Sequence, residues 1–396
     1  MHNRCKVRSL ISEREMGLPD SEFVKIMRIA TENKGVISLG PGEPDFDTPK
    51  NIVKFAQRKL AEGFTHYTSI GGMSEVKESL SKKLKRKNKI HVDPGKQIIV
   101  TVGAKESIFL CMMSLVDPGE SVIVPNPGYL AYIPIVESLN GIPLSVQLRQ
   151  DENFEYDIDK VKGIVHPKKT RILILNSPSN PTGTVFSKKK LEEIADFAIE
   201  HELVILSDEA YEDFVYDNTK HVSIGSLNGM ENHTVSIFTF SKSYAMPGFR
   251  IGYATGPTDI IDAMTKLKLG TTLSAPTISQ LASMEALRTK NSVVQKMVDE
   301  YNRRRKLMIK RLKEINGFNC LEPKGAFYAF PNIENFKLNS VKFAQFLLDK
   351  AKVLVVPGTE FGVYGEGFIR LSYATSYEKI EAAMNKIEYA TKKLNM

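Results

Sequence analysis

Apolar positions in this chain gather into short blocks separated by stretches with helical periodicity. Between about residues 98 and 256 the blocks are QIIVTV (97–102), SVIVP (121–125), PLSVQL (143–148), RILILN (171–176), LVILSD (203–208) and VSIFTF (235–240). Helical patterns such as 106–115 and 188–200 lie between them. Mostly apolar blocks predict strands buried on both faces, and helical crossovers between them predict a mainly parallel sheet covered by helices. Turn signals agree: Asp117-Pro118-Gly119, Pro125-Asn126-Pro127-Gly128 and Asn180-Pro181-Thr182-Gly183 all follow strands or helices.

Past this α/β region the periodicity changes. A long helical pattern from about Pro257 to Ile315 is expected to carry the chain away from the sheet. GAFYAF (325–330), VLVVP (353–357) and GFIRLSYA (367–374), with helices near 341–350 and 377–393, predict a smaller α+β domain. At 396 residues the chain exceeds one ordinary core. The expected division is an N-terminal segment 1–50 packing with the small domain, a large α/β domain 51–290, and a small C-terminal domain 291–396.

Composition narrows the function classes. Hydrophobic residues make up 42% and charged residues 25%, as in soluble globular proteins. The longest apolar run, IFLCMMSLV (108–116), is far short of the roughly 20 residues that a membrane span needs. MHNRCKVRSLISERE at the N-terminus lacks an apolar core, so a cytoplasmic location without export or anchoring is expected. Cys5, Cys111 and Cys320 have no CxxC spacing, which argues against a disulfide framework or a cysteine zinc site. The net charge of +8, from 54 basic and 46 acidic residues, concentrates in KKLKRKNK (82–89), KKK (188–190) and RRRK (303–306). These are read as solvated helix faces, and no nucleic-acid-binding signature accompanies them.

In open α/β sheets ligands bind outside the carboxyl ends of the strands, and the candidate residues fall there. The GxGxxG and GxxxxGK[ST] patterns are absent, which weighs against nicotinamide and ATP chemistry. Gly103-Ala104-Lys105 follows a strand and opens a helix, a place for an anion. Asp208 closes an apolar strand with Tyr211 three residues on, and is either a helix cap or a ligand group. Arg370 lies in an apolar strand and needs an anionic partner, structural or bound. In TFSKSYAMPGFRIGYA (239–254), Pro247 and Gly248 shape a loop between Lys242 and Arg250. A poorly hydrated lysine loses its proton readily and attacks carbonyls, although a snorkelling ammonium is the ordinary state. Each feature has a bland reading; together they fit pyridoxal phosphate carrying an amino acid.

SLGPGEPDFDTP (38–49), HYTSIGG (66–72), SPSNPTG (177–183), SDEAY (207–211), SKSYAMPGFRIG (241–252), GAFY (325–328) and GFIRLSYA closely resemble fold-type I, pyridoxal-phosphate-dependent aminotransferases of the class I and II family. The branch includes aspartate and aromatic aminotransferases. The resemblance implies that Lys242 forms a Schiff base with the cofactor and later moves the Cα proton, and that Asp208 pairs with the pyridine nitrogen. Asn180 and Tyr211 would bind the phenolic oxygen, and Tyr129 would stack on the ring. Arg250 would hold the phosphate with Thr239, Ser241 and the backbone of Gly103, Ala104 and Lys105. Arg370, assisted by Asn180 and the backbone of Gly40, would take the substrate α-carboxylate. Tyr67 would reach the phosphate of a neighbouring subunit, implying a homodimer with shared sites.

Two positions depart from the family pattern: Thr239 stands where Gly or Ser is usual, and Pro247 where this branch often has Thr. The implied reaction is ping-pong exchange between an aspartate- or aromatic-type amino acid and a 2-oxo acid, with glutamate and 2-oxoglutarate as the shared pair. Lys105 could meet a distal carboxylate, the phosphate or solvent, while Tyr129, Phe23 and Tyr328 could line an aromatic pocket. A C–S lyase or decarboxylase on the same fold is the alternative, and a non-enzymatic regulator module a remoter one. No metal site is expected.

Overall fold

The computed structural model describes residues 10–12, 35–392 and 394. Phe23 and Cys5 lie outside them. The strands are β1 Ile37–Ser38, β2 Ile98–Thr101, β3 Ser121–Asn126, β4 Ile142–Gln147, β5 Thr170–Asn176 and β6 Val204–Asp208. They continue with β7 Thr234–Thr239, β8 Gly252–Thr255, β9 Tyr328–Ala329, β10 Val353–Leu354, β11 Val356–Pro357 and β12 Ile369–Ser372. Among the described residues, seven strands form one sheet in the order β2-β8-β7-β6-β5-β3-β4. All neighbours from β7 to β4 are parallel, and β8 runs antiparallel to both β2 and β7.

The period of two in a strand explains how this sheet is buried on both faces. Leu173 and Leu175 of β5 enter one apolar cluster with Leu191 and Ile194 of the helix Lys188–Glu200. Ile172 and Ile174 enter another, with Ile108 and Met112 of the helix Ala104–Leu115. Successive side chains thus serve opposite cores, so the strands read as continuous apolar blocks.

The expected strand blocks of the large sheet all appear, with ends shifted by a residue or so, whereas 325–330 shrinks to Tyr328–Ala329, 353–357 splits between two sheets and 367–374 shortens to Ile369–Ser372. Strand β8 is an addition: Gly252–Thr255 lies within the segment read as a loop. The helical pattern from Pro257 to Ile315 divides into Thr258–Leu269, Thr277–Arg288 and Asn291–Glu314. The first packs back on Ala104–Leu115 and the second on Lys50–Ala61, so only the third leaves the large sheet. Pro276 supplies the break, since the residue before a proline disfavours helical backbone. The small part carries the sheet β11-β12-β9 and the helices Asn291–Glu314, Ser340–Phe346 and Tyr377–Lys392 around a core containing Tyr301, Phe327 and Tyr373. β1 joins it by parallel pairing with β10, placing the 37–38 segment beside the small part.

The reading of the basic stretches as solvated faces fails at three residues. Lys83, Arg304 and Arg305 are buried, while Lys87 stays exposed and still pairs with a carboxylate. Lys83 meets Glu212 at 2.5 Å and Lys87 meets Asp213 at 2.6 Å. Arg304 meets Asp45 at 2.8 Å, and Arg305 pairs with Asp217 and Glu322. Long apolar stems allow such burial once a distant carboxylate receives the charge. No helix of the described residues is long and apolar enough to cross a membrane.

Candidate active site

The ends of β2, β5, β6 and β7 converge on a cavity of about 280 Å³. At one end Gly103, with φ of 93°, turns the chain from β2 into the helix Ala104–Leu115. A Cβ on Gly103 would stand 2.8 Å from Nη2 of Arg250, so only glycine permits this approach. Arg250 donates to the carbonyls of Pro247 (3.0 Å) and Val102 (3.3 Å). A helix start and a guanidinium therefore face the same end of the cavity, an arrangement that attracts a phosphate. Thr239 Oγ1 accepts the Ser241 N–H at 3.1 Å, capping the short helix Phe240–Ser243, and lies 3.0 Å from Ser241 Oγ. The extra methyl of threonine leaves this hydroxyl pair in place.

Lys242 projects from that short helix and donates to the Gly42 carbonyl at 2.5 Å. Burial lowers its pKa to about 8, with Arg370 and Arg250 adding to the shift and Glu43 opposing it. A useful fraction of the amine is thus neutral near neutral pH. Across the cavity Asp208 is 5% exposed and has no cationic partner within ion-pair distance among the described residues. Oδ1 accepts the Ala210 N–H at 3.1 Å in a turn, since no helix starts there to be capped, and Oδ2 accepts the Tyr132 hydroxyl at 2.7 Å. Burial raises its pKa against the pull of these donors. A buried carboxylate of this kind is stabilised by a cationic N–H, such as that of a protonated pyridine.

Tyr211 Oη lies 2.7 Å from Tyr328 Oη, and Tyr129 borders the cavity edge-on to Tyr132. Lys105 lines the cavity with Nζ 5.9 Å from the Tyr129 ring centroid. At the far end Arg370 of β12 donates to Asn180 Oδ1 at 2.8 Å and to the Gly40 carbonyl at 2.6 Å. Its guanidinium lies between the rings of Tyr328 (4.4 Å) and Phe361 (4.8 Å). No carboxylate among the described residues pairs with it, and its buried Nε has no partner there. The Gly40 carbonyl thus helps to hold the guanidinium in place.

Of the residues singled out in the sequence, Ala104, Lys105, Tyr129, Asn180, Asp208 and Tyr211 line this cavity. So do Thr239, Ser241, Lys242, Arg250 and Arg370. Gly103 and Gly40 support its edges. Tyr67 does not enter it and is 85% exposed. Two contributors escaped the sequence reading. Asn176, at the end of β5, donates to the Asp208 carbonyl at 3.0 Å and accepts the Asn180 N–H at 2.8 Å, tying two cavity loops together. Tyr132 follows Tyr129 by three residues, a spacing that puts both on one side of a helical turn.

The fold and the cavity thus suit an enzyme that holds a phosphorylated aldehyde over a sheet end and presents an amine and a carboxylate to it. Their chemistry fits pyridoxal phosphate: cationic groups at one end, a buried carboxylate lacking a cation, and a lysine of lowered pKa. The chain belongs to the family described as aminotransferase class I and II, whose family model matches residues 34–387. It is 46% identical to the aspartate aminotransferase of Pyrococcus abyssi, over 93% of this chain and 95% of that protein. It is 43% identical to the aromatic-amino-acid aminotransferase 2 of Thermococcus litoralis, over 96% of this chain and 98% of that protein. The crystal structure of an aromatic aminotransferase from Pyrococcus horikoshii superposes with a TM-score of 0.89 at 43% identity, covering 93% of this chain and 99% of that one. The chain is accordingly an aminotransferase with pyridoxal phosphate as cofactor, moving an amino group between an amino acid and a 2-oxo acid. The lyase and decarboxylase alternative is not favoured.

Proposed function

We propose that the chain exchanges amino groups between an aspartate- or aromatic-type L-amino acid and 2-oxoglutarate, with glutamate closing a ping-pong cycle. The observation that carries this reading is Arg370, a buried guanidinium lining the cavity with one N–H unmatched and no carboxylate partner among the described residues. A substrate α-carboxylate supplies the missing acceptor. Both substrate types find support: Lys105 offers a cation for a distal carboxylate, and Tyr129 and Tyr328 offer aromatic surface. The named relatives divide between the same two types.

Pyridoxal phosphate, when bound, supplies an aldehyde that condenses with amines and a ring that accepts electron density from Cα. Arg370 fixes the substrate by its carboxylate, held by Asn180 Oδ1 and the Gly40 carbonyl. With the cofactor bound, Lys242 would hold its aldehyde at rest and, as a neutral amine, would serve as the base for the substrate Cα proton. Asp208 would offer its negative charge to the ring nitrogen, while Tyr211 and Asn180 Nδ2 would donate to the phenolic oxygen. Arg250, Thr239, Ser241 and the backbone of Gly103, Ala104 and Lys105 would hold the phosphate, and Tyr129 would meet the ring. The reading also includes a homodimer in which exposed Tyr67 reaches the neighbouring phosphate, a cytoplasmic location, and division into 1–50, 51–290 and 291–396. Exposed Leu60, Phe64 and Leu269 give apolar surface for such a dimer.

The test is the absorbance of the holoenzyme during addition of single L-amino acids. Loss of the lysine-bound cofactor band with L-aspartate or L-phenylalanine, and its return with 2-oxoglutarate, is expected. Arg370→Lys keeps the band but loses bidentate binding, raising the KM for amino acids about 100-fold. Retention of the band with release of ammonia or carbon dioxide contradicts the proposal.

A further inference from the structure

The loop 66–72 carries exposed Tyr67 and is fastened by three polar side chains that do not line the catalytic cavity. Thr277, at the start of the helix Thr277–Arg288, donates to the His66 carbonyl at 2.5 Å. Gln280, one turn further and fully buried, donates to Thr68 Oγ1 at 2.8 Å and accepts the Met73 N–H at 2.9 Å. Lys268, near the end of the helix Thr258–Leu269, donates to the Ile70 carbonyl at 2.9 Å. Positions 66, 68 and 70 are thus held, while Tyr67 between the first two keeps its side chain in the open.

Lys268 is the least expected of the three. It is fully buried, and its ammonium bonds to two backbone carbonyls, Ile70 and, at 2.7 Å, Val100. Burial lowers its pKa to about 8, with Glu106 only partly opposing the shift. Burying an ammonium is costly, so filling space alone would be better served by an apolar side chain. Val100 lies in β2, the edge strand of the large sheet, and its N–H donates to the Gly71 carbonyl at 2.9 Å. Lys268 takes the carbonyl of the same residue, so the strand edge is satisfied by the loop and the ammonium together. One side chain therefore ties the loop carrying Tyr67 to the strand that turns at Gly103 into the phosphate end of the cavity.

We propose that Lys268 is a positioning residue for the cofactor: by fastening loop 66–72 to β2, it holds Tyr67 ready for the phosphate bound in a second copy of this chain. The inference rests on the shared-site homodimer of the proposed function. A loop that must be ordered on contact gives up affinity, and a loop already fastened at three points gives up little. Leu269, next to Lys268, and Phe64, three residues before Tyr67, are exposed apolar side chains on the same two segments, a surface that suits a second copy.

The experiment titrates full-length apoenzyme with pyridoxal phosphate and compares the dissociation constants of wild type, Tyr67→Phe, Lys268→Met and the double variant. Each single variant is expected to weaken binding about tenfold, and the double variant no more than either, because both remove the same contact. Lys268→Met at wild-type affinity overturns the proposal. Losses that multiply in the double variant overturn it too, since a merely structural role of Lys268 would act independently of Tyr67. Tyr67→Phe at wild-type affinity, or sedimentation of the wild type as a monomer, overturns the shared-site reading and the proposal with it, and so is told apart from failure of Lys268 alone. Lys268→Gln, with a polar end on a shorter stem, takes the place of Lys268→Met if that variant does not fold, and is judged by the same comparison with Tyr67→Phe.

Discussion

Tyr132 donates its hydroxyl to Asp208 Oδ2 at 2.7 Å, joining positions 76 residues apart beneath the cofactor cavity. Burial works against the ionised form of Asp208, and Tyr132 works for it. Replacing Tyr132 by Phe removes the donor while keeping the ring. The Asp208 pKa then rises, and the ionised form survives only at higher pH. Turnover of Tyr132→Phe at neutral pH is expected to fall about tenfold, with the acid limb of kcat/KM against pH moved upward. An unmoved acid limb would leave Tyr132 with a packing role alone.

Lys242 carries its own pH signature. Only the neutral amine attacks an aldehyde, and burial brings its pKa down from 10.5 to about 8. The rate at which apoenzyme captures pyridoxal phosphate should therefore rise about tenfold per pH unit below that value and level off above it. An ordinary lysine would keep gaining reactivity until near 10.5. Stopped-flow capture between about pH 6 and 10 separates these outcomes, and Lys242→Ala should show no capture at all.

Glu212 immediately follows Tyr211 yet faces away from the cavity, bonded to Lys83 at 2.5 Å and Asn88 at 2.8 Å. Burial pushes its pKa up, but the ammonium groups of Lys83 and Lys87 outweigh burial and hold it well below the carboxylate range. The resulting stabilisation is present above the unfolded value of 4.5 and lost as pH falls towards the folded one. Glu212→Gln leaves Lys83 buried without a countercharge and should cost about 3–5 kcal/mol. Urea unfolding at neutral pH measures this, and turnover per folded molecule should change little. An unchanged urea midpoint would mean that Lys83 has found another acceptor.

Much of the catalytic cavity was legible because its residues sit in short motifs at strand ends. Asp208 ends β6, Lys242 lies three residues past the end of β7, and Gly103 turns β2 into its helix. Where a strand must end and a loop must bend is local information, carried by apolar runs, prolines and glycines. Strand β8 was not legible, because Gly252–Thr255 is short and opens with glycine. Tyr132 and Asn176 were missed for another reason. Their role lies in partners on other strands, and nothing in their immediate neighbours names those partners.

By itself the sequence determined the α/β class, the parallel blocks and the residue types of the cavity, since periodicity and turn chemistry act over a few residues. Only the tertiary structure decided that Arg304 and Arg305 turn inward to carboxylates, and that Arg370 keeps an unmatched N–H. It also decided that Ser207, Ser236 and Thr255 align across adjacent strands. A buried charge or hydroxyl is stabilised by whichever group packing brings within hydrogen-bond reach. That group is set by strand register and helix docking across distant parts of the chain, not by local pattern.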